Sequence, residues 1–159
     1  MTRFWPPAAL LYLTAGHVIR LLLRSPLHPL FSRRFMLLTY ESPGRGHRRQ
    51  LPMPYHQWNP DEIWLFIVRA VESAFEEPQT VRLVLRGREL TAETSLVEDR
   101  AEVARLLVEH ARRHGPIKEG FLNYLGIPRD RVPTPEEALA AADRTRIARF
   151  RLLVESTDE

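Results

Sequence analysis

Between Arg34 and Val68 the chain reads RFMLLTYESPGRGHRRQLPMPYHQWNPDEIWLFIV, and this stretch decides the fold. Its first apolar run, Phe35 to Tyr40, is short and bounded by charge and a turn, which predicts a strand over Arg34–Tyr40. Ser42-Pro43-Gly44 supplies the turn. Arg49–Trp58 is then extended, but Pro52 and Pro54 cannot donate to a ladder, so an edge or irregular strand is expected there. Asn59-Pro60-Asp61 turns the chain again. Glu62–Val68, EIWLFIV, is apolar almost throughout, as in a strand buried on both faces.

Upstream, Pro6 and Pro7 suit a first helical turn. Leu10, Leu13, His17 and Ile19–Leu23 give Ala8–Arg24 an apolar face at helical spacing. Ser25-Pro26 ends that helix, and Leu27–Phe31 is a connector. The apolar segment Trp5–Leu23 is interrupted by His17 and Arg20. It falls short of the ~20 apolar residues a spanning helix needs, and no signal cleavage motif follows it. Peripheral membrane contact through this helix stays open, given Arg3, Arg20 and Arg24.

Downstream, Arg69–Pro78 reads as loop or short helix. Thr80–Arg86 alternates Val81, Leu83 and Leu85 against Arg82, Val84 and Arg86, the pattern of a half-buried strand. Gly87-Arg88 connects it tightly to a strand over Glu89–Val97, making a hairpin. Asp99 caps a helix over Arg100–His114, with Val103, Leu106, Leu107 and His110 on one face and Gly115-Pro116 at its end. A short helix is expected over Ile117–Leu125. Thr134-Pro135-Glu136-Glu137 starts another, running to Ala142. Arg146–Glu155 closes as a strand, and Ser156–Glu159 is expected to be a disordered tail. The order implies one α+β domain over residues 1–159. Its mostly antiparallel sheet of about six short strands would tend to close into a barrel and so remove its edges.

Composition narrows the chemistry. The 159 residues suit one domain with a real core. The net charge is +3 and Lys118 is the only lysine, so arginine dominates the cations, favouring bidentate contacts to phosphate or carboxylate. No cysteine is present, which excludes disulfides, thiolate metal sites and cysteine nucleophiles and suits a cytoplasmic protein. The 6 histidines lack metal-ligand spacing; His110 and His114 flank ARR without the glutamate of a zinc-protease helix, and a surface pair is expected. Glu76-Glu77 reads as a solvated turn, while Glu136-Glu137 belongs to a helix start. Ser42 and Ser73 lack a nucleophile elbow. No catalytic residue and no metal site is assigned.

Two features point to a ligand. The turn Pro43–Arg49 combines glycine backbone with arginines, an arrangement that can cradle an anion, although a solvent-exposed hairpin made soluble by charge is the ordinary reading of such a turn. Tyr40, Tyr55, Trp58, Trp64 and Phe66 gather on the central strands. Core packing is their ordinary role; lining a pocket for a flat ligand is the alternative.

The stretch RSPLHPLFSRRFMLLTYESPGRGHRRQLPMPY, together with the later TVRLVLRGREL, resembles the deazaflavin-dependent nitroreductase family of the split β-barrel flavin-binding superfamily. The likeness runs from about Leu21 to Val154. It implies a split β-barrel with an N-terminal helix and flanking helices, which binds coenzyme F-420 and transfers hydride to or from an organic small-molecule substrate. FMN is the alternative cofactor, or none. By this resemblance Arg45, Gly46, His47, Arg48, Arg49, Gln50 and Pro52 hold the cofactor phosphate and acidic tail, Arg69 adds a further contact, and Tyr55 and Tyr124 line the substrate side. Two departures stand out. The family's G-R-R-S-G-R turn is S-P-G-R-G here. Its W-x-x-N-L element is replaced by AVESAFEEPQ, whose acids would repel an anion. The alternative function is therefore a non-catalytic split-barrel binding module with a degenerate cofactor site. Membrane-lipid or nucleic-acid binding through the arginines is a further alternative, but the aromatic–basic interleaving of a base-stacking surface is missing, so nucleic acid is not expected. A homodimer is compatible with the resemblance.

Overall fold

A computed structural model describes residues 35–41, 48–68, 74–117 and 125–153. The expected helix Ala8–Arg24, its connector, the turn Ser42–His47, Arg69 and the tail lie outside the described residues, as does the short helix over Ile117–Leu125 apart from its ends. The described elements are β1 (Phe35–Glu41), β2 (Arg48–Pro54), β3 (His56–Asn59), β4 (Glu62–Val68), β5 (Thr80–Leu85), β6 (Arg88–Val97), α1 (Arg100–His114), α2 (Pro135–Ala142) and β7 (Thr145–Leu153). The fold is α+β. Its 7 strands follow the hydrogen-bonded order β2-β1-β5-β6-β7-β4-β3, and β1/β2, β1/β5 and β4/β7 are antiparallel. Seven strands stand where six were expected because the extended stretch Arg49–Trp58 breaks at Tyr55, just after Pro54, into β2 and β3. As the prolines require, β2 stands at one end of the order.

Contacts gather the chain into two compact units. The first takes in β1, β2, β5 and the start of β6; the second takes in the rest of β6, β3, β4, both helices and most of β7. In the first unit, β1 is apolar on both faces. Met36, Leu37 and Leu38 are fully buried, and the strand pairs with β2 through Leu37↔Pro52 and with β5 through Leu37↔Val84. Val81, Leu83 and Leu85 are buried while Arg82 is exposed, so the period-2 pattern holds. β5 and β6 are joined by Arg86-Gly87, with φ of 52° and 77°. Two consecutive positive φ values are what a tight primed hairpin turn demands, and here an arginine takes the position that asparagine or glycine usually fills.

In the second unit, Ile63 to Ile67 of β4 are all buried, and the strand pairs with β7 from Glu62↔Arg151 to Val68↔Thr145. Trp64 and Phe66 pack with Val103, Leu106 and Leu107 of α1, Ala138, Ala141 and Ala142 of α2, and Ile147 of β7. Three small alanines on one face of α2 allow close approach to the core. Asp99 caps α1 by accepting from the Glu102 N–H at 2.7 Å. At α2 both halves of the capping box form: Thr134 Oγ1 accepts from the Glu137 N–H, and Glu137 Oε2 accepts from the Thr134 N–H.

Glu137 also accepts from Arg131 through both carboxylate oxygens. The Arg131 guanidinium, and then the Thr134 backbone, lower the Glu137 carboxyl from 4.5 to about 2. A carboxyl depressed in the folded state stabilises the fold above its ordinary range, and that contribution is lost as pH falls from about 4.5 toward 2. Glu137→Gln is therefore expected to flatten the loss of stability between those pH values. The pair is exposed, so salt should shrink the difference. Urea unfolding midpoints at pH 6 and pH 3, at low and high salt, check both expectations.

Candidate functional site

The β1–β2 hairpin sets the positions of the residues expected to bind a cofactor. Its register is Glu41↔Arg48, Tyr40↔Arg49, Thr39↔Gln50 and Leu37↔Pro52, so Arg48, Arg49, Gln50 and Pro52 run along β2 immediately after the basic turn. Arg45, Gly46 and His47 lie in that turn, outside the described residues, as do Arg69 and Tyr124. Of the expected site residues, those on β2 fall within the described residues, and strand pairing sets residues of β1 and β5 beside Gln50 and Pro52.

Thr39 pairs with Gln50 on one side and with Arg82 on the other. Directly opposed residues on antiparallel strands share a face, so Gln50, Thr39 and Arg82 form a polar row across β2, β1 and β5. Gln50 Nε2 donates to Thr39 Oγ1 at 3.2 Å. Thr39 and Gln50 are half-buried and Arg82 is exposed. The neighbouring row on the same face is Pro52, Leu37 and Val84, with Leu37 fully buried. The polar row thus lies beside covered apolar sheet. Thr39 and Arg82 were not singled out from the sequence. Alternation along Thr80–Arg86 puts Arg82 outward, but only the pairing of β1 with both neighbours sets it beside Thr39.

Tyr55, expected on the substrate side, is buried to 6% exposure, and its hydroxyl accepts from Arg86 Nε at 3.3 Å. Arg86, in the β5–β6 turn, is a third residue the sequence did not flag.

The aromatic residues of the second unit are packed together. Trp58 and Trp64 stack with centroids 4.0 Å apart and planes 13° from parallel. Arg113 lies 4.4 Å from the Trp58 ring and Arg149 lies 5.5 Å from the Trp64 ring, a cation–π pairing at each. Trp64 Nε1 donates to Glu62. These rings have the ordinary role of core packing. His110 is a correction: it was expected on the surface with His114, yet it is buried with its ring edge-on to Phe66 at 5.5 Å. It falls on the buried face of α1 with Leu106, Leu107 and Ala111, and only His114 is exposed. Among the described residues no group of histidines and carboxylates could hold a metal ion, and no helix is long and apolar enough to cross a membrane.

Arg86 offers a test of the hairpin. A non-glycine residue in the left-handed region is strained by ~1–2 kcal/mol, while a hydrogen bond to a hydroxyl contributes about 1 kcal/mol. Arg86→Gly relieves the first and loses the second, so little net change is expected. Tyr55→Phe should cost about 1 kcal/mol. In the Phe background, Arg86→Gly should then stabilise by about 1 kcal/mol, measured by urea unfolding of all four proteins. Additive effects would show that the two side chains are not coupled.

No family model matches the chain, and no curated protein matches it. Among solved structures, a general stress FMN/FAD-binding protein from the phytopathogen Xanthomonas citri is similar to it over 78% of each chain, with 15% sequence identity and a TM-score of 0.44.

Proposed function

We propose that this chain is a split-barrel oxidoreductase that binds the deazaflavin coenzyme F-420 and passes a hydride between the cofactor and an organic substrate. The β1–β2 register carries the proposal. It sets Arg48 and Arg49 at the start of a strand whose next residue, Gln50, continues into a row of hydrogen-bonding side chains. The donor set suits an anionic ligand: guanidinium groups make charge-assisted, bidentate contacts to phosphate and carboxylate, and a glycine-containing turn presents backbone N–H groups. The cofactor, when bound, supplies the hydride-carrying ring. The chain's own part is to hold the anionic portion through Arg45, Arg48 and Arg49, with Gln50 and Thr39 orienting polar edges and the apolar row at Leu37 and Pro52 keeping water from that side. FMN presents a phosphate to the same donors and is the alternative cofactor.

One observation favours a second reading, a binding module without catalysis. Where the family places W-x-x-N-L, this chain has Glu76 and Glu77, both exposed.

Titration of the purified protein with F-420, followed by cofactor fluorescence and run beside FMN, separates these readings. Saturable F-420 binding at micromolar concentration is expected. Arg48→Ala and Arg49→Ala should each weaken it about tenfold, the loss that accompanies removal of one charge-assisted contact. Unchanged affinity in both variants rejects the arginine assignment. Binding of FMN alone keeps a flavin site and changes the chemistry, and binding of neither leaves the module reading.

A further inference from the structure

We draw no further inference here: the strongest candidate, the ring cluster of the second unit in which the buried His110 lies against Trp58, Trp64 and Phe66 beside His114, carries nothing, because it belongs to the core packing already described and nothing among the described residues shows what its imidazole would bind.

Discussion

The register of β1 is the constraint on which the first unit depends. Met36 and Leu38 face one side of the sheet and Leu37 the other, yet all three are fully buried. A strand slipped by one residue exchanges its faces. Here the slip would carry Thr39 into a place held by leucine and bury a hydroxyl at a cost of a few kcal/mol unless a partner came with it. Because β1 pairs on both edges, the same slip would have to displace β2 and β5 together. The row Gln50–Thr39–Arg82 is therefore a consequence of apolar packing one and two residues away. Its geometry owes little to its own hydrogen bond.

The second unit solves a different problem. It is rich in arginine around a core built on β4, and its cations are largely matched. Arg105 bridges Glu102 and Glu109 along α1, Arg149 lies between Glu62 and Glu102 at 3.7 and 4.0 Å, and Arg146 Nη1 donates to the Ala142 and Thr145 carbonyls. Surface pairs of this kind contribute little each. Their effect is to fix where long side chains lie, as Arg149 does against the Trp64 ring. An arginine held this way is part of the scaffold.

How much of this could be read in the sequence follows from the range of each interaction. β4 was legible because five consecutive buried residues leave no periodicity to misread. Both helix starts were legible because their caps act within three residues: Asp99 on Glu102, Thr134 on Glu137. The break between β2 and β3 was half legible, since Pro52 and Pro54 weaken a ladder without saying where it stops. His110 was misjudged for a different reason. Histidine has no strong prior for inside or outside, and its burial was decided by Trp58, Trp64 and Phe66, which arrive from β3 and β4. Thr39 and Arg82 lie 43 positions apart, and no local signal joins them. What brings them together is the choice of β5 as the second neighbour of β1, a fact of topology that alternation alone does not contain.

The paired acids Glu76 and Glu77 can be weighed on the same terms. Phe75 is buried against Phe150 with ring centroids 5.8 Å apart. Gln79 Nε2 donates to the Ala74 carbonyl at 2.6 Å, and the Gln79 backbone is tied to Thr94 in both directions. The turn is thus anchored at both ends, and Glu76 and Glu77, between the anchors, face solvent. Charges so placed act on an anion through water, where the field is screened over about 8 Å at physiological salt. Their repulsion is a matter of ionic strength and distance. The neutral hydrogen bond between Gln50 and Thr39 does not fade with salt in that way. If the hairpin holds an anion as proposed, high salt should weaken both the repulsion by these acids and the long-range attraction of the arginines.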